Sequence, residues 1–218
     1  MNFGTLPPSE LELRRQIIDI GRRLSERALV VANEGNISAR LGENRLLVTP
    51  TGLAKGRLHE EDLIIVDDFG NPLEPSARRP STELGMHLGV YRSRPDVCAC
   101  VHAHPPYTVA CSVAGIALDT PVLPEVIAAV GEVAVAQYAT PGTAEVAAVI
   151  SPLVARHNAV ILSNHGVLTV GPDLETALFR MEIVEHLAQV VFLAHQLGRI
   201  NTLSSEQLQK LNRAIYGK

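Results

Sequence analysis

The sequence predicts an α/β fold built on a mixed, mainly antiparallel sheet covered by helices, and three observations lead there. Short β-like runs separated by turn residues fill 36–67. Helical periodicities are interspersed among strands without strict alternation, which disfavours a doubly wound parallel sheet. The chain of 218 residues is long enough for one sizeable core, and no composition shift, repeat or low-complexity stretch divides it, so a single domain over 1–218 is expected.

Ser9, after two prolines, is an N-cap candidate, and Leu13, Ile17, Ile20, Leu24 and Ala28 recur at helical spacing behind it. NISAR, RLLVTP and DLIIVD then read as strands of an antiparallel meander, with GEN, TPTG and FGNP as turn or breaker segments. Ser81 restarts a helix that runs to Arg92, and VCACVHA (97–103) is a buried strand that two prolines bring to a stop. TAEVAAVISPLVA (143–155) reads as a helix, and AVILSNHGVLTVG (159–171) as one strand or a tight pair. Asp173 caps a long helix reaching about Leu197, and SEQLQKLNRAIY (205–216) forms a last short one.

Composition excludes several function classes. A net charge of −4 with no run of Lys or Arg leaves no electrostatic footprint for nucleic acid or an anionic membrane, so a small-molecule partner is expected. No segment approaches the roughly 18 apolar residues of a membrane helix, and the N-terminus lacks an apolar stretch of signal-peptide length, so the cytosol is the expected compartment. Cys98, Cys100 and Cys111 lack CxxC spacing and read as reduced core residues.

The chemistry-bearing stretch is VHAHPPY (101–107). Alternate strand residues share a face, so His102 and His104 project together with Cα atoms about 7 Å apart, close enough to converge on one ion. Cys98 and Cys100 share that parity, but Cys98 would lie about 20 Å from His104 along an extended strand, outside any common site. Taken alone, HxH is also compatible with two polar residues at a strand end. His165, where an apolar strand meets the glycine of SNHG, and Glu83, in RRPSTE at a helix start, extend the set to three imidazoles and a carboxylate. Such a set suits Zn2+, with Mn2+ or Co2+ as alternatives. His59, His87, His157, His186 and His195 lack comparable spacing and read as ordinary. An HxHxDH site would need Asp and His where Pro106 and Tyr107 stand.

EGNIS, TPTG, PSTE, HAH and SNHG, in this order and at these intervals, resemble the zinc-dependent class II aldolase/adducin family, most closely its L-fuculose-1-phosphate aldolase branch. The likeness runs from about Leu11 to the last helix. It implies a three-layer α/β/α sandwich and a homotetramer with active sites at subunit interfaces. It also implies that Glu83, His102, His104 and His165 hold the metal, with Glu83 doubling as acid/base, and that Asn36, Thr51, Gly52, Ser81 and Thr82 lie on turns holding a substrate phosphate. Tyr216 in AIYGK matches a family tyrosine that donates a proton, whereas Glu125 in LPEVIAAVGE stands where the branch has a tyrosine reaching in from a neighbour, a departure in the aldehyde-binding half of the site.

Physical chemistry supports the roles without the resemblance. Hydroxyls, amides and turn N–H groups can hold a phosphate dianion without a cation cluster, although NIS and TPTG can equally be plain hairpin turns and Ser81 only a cap. A divalent ion on the carbonyl of a ketose phosphate permits cleavage of the C3–C4 bond with no Schiff-base lysine; Lys55 and Lys210 fall outside the motifs. The expected reaction is cleavage of a (deoxy)ketose 1-phosphate such as L-fuculose 1-phosphate into dihydroxyacetone phosphate and a small aldehyde. A pentulose-phosphate 4-epimerase, a sugar-acid phosphate decarboxylase, a thiosugar-phosphate dehydratase and a non-catalytic adducin-like module are the alternatives.

Overall fold

The structure, a computed structural model, describes residues 8–217, with the side chain of Tyr216 also outside the description. Helix α1 (Glu10–Glu26) is opened by Ser9, whose side chain accepts from the Glu12 N–H while the Glu12 carboxylate answers the Ser9 N–H. The helix lays Leu13, Ile17, Ile20 and Leu24 into the core and ends before Ala28, which has turned to a φ of 55°. Strands β1 (Asn36–Gly42), β2 (Arg45–Val48) and β3 (Ile64–Val66) form the expected antiparallel meander. Then come α2 (Leu84–Ser93), β4 (Ala99–Ala103), α3 (Pro106–Val113), α4 (Pro124–Ala129), β5 (Val133–Ala136) and α5 (Ala144–Val154). The chain closes with the hairpin β6 (Ala159–Leu162) and β7 (Gly166–Gly171), then α6 (Leu174–Gln196) and α7 (Ser205–Tyr216).

The seven strands form one sheet in the order β3-β2-β1-β4-β7-β6-β5. Every pairing is antiparallel except β5 with β6. Alternation along the strands sorts the core into two apolar layers. Ile37, Ala39, Leu47, Ile65, Ala99, Val101, Ile161 and Val167 pack under α1 and α6. Leu46, Val48, Cys100, Val160, Leu168 and Val170 pack under α2 and α5. Both faces are therefore covered, and the fold is a three-layer α/β/α sandwich.

Three elements depart from the expectation. Pro105 and Pro106 end the strand, but Pro106 also occupies the first turn of α3, where a missing N–H costs nothing and a fixed φ suits the helix. Pro124 opens α4 in the same way. With proline at the cap, α3 takes its N-terminal acceptor from elsewhere. The Glu185 carboxylate of α6 accepts from the N–H groups of Tyr107 and Thr108, each at 2.9 Å, and from the Thr108 hydroxyl at 2.8 Å. The third departure, β5, is too short and small-sided to stand out as a strand.

Candidate metal centre

Strand β4, the central strand of the sheet, carries His102 near its C-terminal end, and the backbone leaves the strand at His104, whose N–H donates to Leu29 O at 2.9 Å. Two glycines let neighbouring chain approach this strand end. A Cβ at Gly35 would lie 2.7 Å from His102 O, and one at Gly166 would lie 2.4 Å from Ala103 O and 2.6 Å from His104 Cδ2. His165 stands in the β6–β7 turn, just after Asn164 at a φ of 59°. The three imidazoles come together with ring centroids 4.8 to 5.0 Å apart. One nitrogen from each lies within 4.8 Å of the other two.

Hydrogen bonding assigns the tautomers. His102 Nδ1 donates to Val167 O at 2.9 Å, and His104 Nδ1 faces the Glu34 carboxylate at 3.2 Å, so each ring presents Nε2 as its free lone pair. Those two Nε2 atoms lie 3.2 Å apart. Two lone pairs aimed at one another repel unless a cation stands between them. Burial, with the other rings nearby, pushes the His165 imidazolium down to about 4 and lowers that of His104, which favours neutral, ligating rings.

The Glu83 carboxylate lies beside the three rings. The residue occupies the N-cap position of α2 but makes no capping bond; its carboxylate instead faces His102 Nε2 at 3.5 Å and His165 Nε2 at 3.3 Å. Burial alone would raise its carboxyl, but the imidazoles of His102, His165 and His104 around it hold it down at about 2. Glu83 Oε1 is buried with no hydrogen-bond donor. An orphaned carboxylate oxygen beside converging imidazole lone pairs is what a divalent cation's donor set looks like, and three nitrogens with one oxygen fit zinc.

A polar ladder between β1 and α2 fixes this carboxylate. Asn36 Nδ2 donates to Glu83 Oε2 at 3.0 Å. Ser38 Oγ contacts His87 Nδ1 at 2.6 Å and the Tyr91 hydroxyl at 2.8 Å. Arg40 donates to Tyr91 O at 3.1 Å with its guanidinium 4.8 Å from the Tyr91 ring centre. Four residues of helix advance about 6 Å and two of strand about 6.6 Å, so residues 83, 87 and 91 keep step with 36, 38 and 40. His87 is thus not an ordinary histidine: it is fully buried in this ladder, and burial pushes its imidazolium down to about 3.

His104 and His165 open onto a cavity of about 410 Å3. Glu83, His104, His165, Thr51, Gly52, Ser81 and Thr82 line it together, with the loop around Glu34 and Gly35. Ser81 does not start the helix; α2 begins three residues later because Ser81 and Thr82 form the preceding turn, with Ser81 Oγ accepting the Glu83 N–H at 3.3 Å. Asn36 lies beneath, buried, with its amide engaged by Glu83. Glu125 is exposed on α4 and is not part of the lining, and Tyr216 ends α7 with its side chain outside the described residues. Lys55, placed outside the motifs by its sequence position, lines the cavity. A separate cavity of about 430 Å3 beneath α4 and α7 is lined mainly by apolar residues and contains none of the expected site residues.

Known proteins resemble this chain over nearly its whole length. A 5-deoxy-D-ribulose 1-phosphate aldolase from Bacillus thuringiensis serovar kurstaki is 31% identical over 205 residues, covering 94% of this chain and 95% of the relative. A 3-oxo-tetronate 4-phosphate decarboxylase from Pectobacterium atrosepticum is 33% identical, covering 94% of each. The solved structure of an L-fuculose 1-phosphate aldolase superposes with a TM-score of 0.83 at 30% identity, over 93% of this chain and 95% of that one. The family model described as the class II aldolase and adducin N-terminal domain matches residues 15–192, and the chain belongs to that family.

Proposed function

We propose that this protein is a cytosolic, metal-dependent aldolase that cleaves a (deoxy)ketose 1-phosphate, such as L-fuculose 1-phosphate, into dihydroxyacetone phosphate and a small aldehyde. One observation carries the reading: the turns bearing Thr51, Gly52, Ser81 and Thr82 line the same cavity as Glu83, His104 and His165. A phosphate held at the turns would set the carbon chain of a small sugar against the donor set.

Glu83, His102, His104 and His165 would hold the ion, zinc by the chemistry of the donors. When bound, it would polarise the substrate carbonyl and stabilise negative charge as the carbon–carbon bond breaks. Glu83 would move the substrate proton; its buried Oε1 has no hydrogen-bond donor, and the residue lines the cavity. The hydroxyls of Thr51, Ser81 and Thr82 and the backbone at Gly52 bind the phosphate. Assembly as a homotetramer would let Glu125 of a second copy reach the aldehyde end, with Tyr216 as a proton donor.

A product assay for dihydroxyacetone phosphate across phosphorylated ketoses tests the reading, and chelation should abolish the signal while zinc or cobalt restores it. A second reading, decarboxylation of a 3-oxo sugar-acid phosphate, is supported by the Pectobacterium relative. Carbon dioxide release without dihydroxyacetone phosphate would select it.

A further inference from the structure

Lys55 is the feature of the cavity that neither the motifs nor the donor set accounts for. It is 1% exposed, and among the described residues it makes no ion pair. Leaving an ammonium in such a place is costly unless its N–H groups are satisfied. Its Nζ donates to Leu53 O at 2.7 Å and to Asn33 O at 2.9 Å. These two carbonyls belong to the two loops that frame the cavity, one leading into Glu34 and Gly35, the other following Thr51 and Gly52.

The root of the side chain is equally constrained. A Cβ on Gly21 of α1 would lie 2.4 Å from Lys55 O, and one on Gly56 would lie 2.8 Å from the Ser25 side chain, so the backbone here sits directly on the helix. A rigid helix therefore supports a buried cation that ties together two otherwise irregular loops. Charge gives it a second consequence. Among the described residues of the lining, Glu34 and Glu83 are carboxylates and Lys55 is the only Lys or Arg. A dianion entering this cavity meets two negative groups and this one positive side chain.

We propose that Lys55 is the positioning residue of the phosphate subsite, clamping the 31–35 and 50–54 loops at the separation that receives a phosphate and supplying the positive potential that favours a dianion. The proposal rests on the phosphorylated-sugar reading above. Burial pushes the Lys55 ammonium down to about 8, partly opposed by Glu83, so the charge persists at neutral pH.

The test uses zinc-loaded full-length protein and inorganic phosphate as the probe, followed by calorimetric titration, with zinc content measured on the same samples. Wild type should bind phosphate. Lys55→Met should keep its zinc but bind phosphate about 10- to 100-fold more weakly, the scale of hydrogen bonds to a charged group. It should raise KM for the ketose phosphate by a similar factor and leave kcat within about threefold of wild type. Lys55→Arg, which restores the charge, should recover most of the phosphate affinity; a residue needed only for folding would shift the melting temperature without this split. Should Lys55→Met not fold, hydrogen exchange on wild type decides: phosphate must protect peptides covering 31–36 and 50–56 together, and protection of only one overturns the clamp. Wild type failing to bind phosphate would overturn the phosphate reading itself. Phosphate binding by wild type and Lys55→Met with equal affinity would overturn the role of Lys55 alone.

Discussion

Gly166→Ala tests whether the metal centre depends on the close approach of β7 to the HAH strand. The added Cβ would sit 2.4 Å from Ala103 O, 2.6 Å from His104 Cδ2 and 3.2 Å from His102 Cε1. The first of these is about 1 Å inside a comfortable contact, and its partner is backbone, which cannot swing aside. Ala103 is paired with Val167 in the β4–β7 ladder, so the methyl must either wedge the strands apart or drive both imidazoles from their positions. Overpacking of this kind costs about 1 to 3 kcal/mol. For a chain of this length that is a fall of about 2 to 12 °C in melting temperature. Misdirected ligands should also weaken metal binding by about 10- to 100-fold, or about 1.4 to 2.8 kcal/mol. Gly85→Ala is the control, because Gly85 lies in α2 two residues from Glu83 and an added Cβ meets nothing within 4 Å. It should keep zinc affinity and gain up to about 1 kcal/mol from helix propensity. Zinc affinity comes from competition with a chromogenic chelator, and stability from thermal unfolding with and without EDTA. Wild-type zinc affinity in Gly166→Ala, with an unchanged melting temperature, refutes the reasoning.

Three further outcomes are expected. Glu83→Gln should retain measurable zinc through His102, His104 and His165 yet lose about 100- to 10,000-fold in turnover; a rate that merely tracks lost zinc makes Glu83 a ligand only. In metal-free protein, His165 titrates near 4 in the fold against an ordinary 6.5, so its contribution to stability is complete above pH 6.5 and is lost as pH falls towards 4. Glu83, held at about 2 against 4.5, adds a further loss from pH 4.5 downwards; under chelation, a melting temperature constant from pH 7 to 4 contradicts the first, and one with no added fall from pH 4.5 to 2.5 contradicts the second. Glu185→Ala strips the acceptor from the first turn of α3 and should cost about 1.5 to 3 kcal/mol in urea unfolding; an unchanged midpoint would mean solvent satisfies those N–H groups equally well.

The parts of this molecule that could be read from its sequence are those governed by local rules. The capping box at Ser9, the 3.6-residue stripe of α1 and the alternation that points His102 to one face are written into neighbouring residues. Elements set by tertiary context escaped. Pro105-Pro106 reads as a stop because nothing nearby shows that Glu185, far along the chain, will cap the helix that Pro106 begins. Ser81 reads as a cap because only the folded site shows that the helix starts later, around a Glu83 committed to the histidines. His87 and Lys55 carry no spacing signal of their own. The i, i+4, i+8 series Glu83, His87, Tyr91 opposite the alternate residues Asn36, Ser38, Arg40 was a usable signal for the first; for Lys55 the sequence held none, since its partners are main-chain carbonyls.

The matched rungs of α2 and β1 also dictate where this gene can change length. Deleting or inserting one residue between 83 and 87 would rotate every later side chain of the helix by about 100° and leave only the Asn36–Glu83 rung in place. A single-residue slip in 36–40 would turn the polar series to the opposite face of the sheet. Residues 73–77, by contrast, are exposed and lie in no strand or helix, so a peptide tag spliced there leaves the rungs in step. Tolerance to insertion along this chain should therefore be sharply uneven within twenty residues, high just before the metal centre's helix and absent inside it.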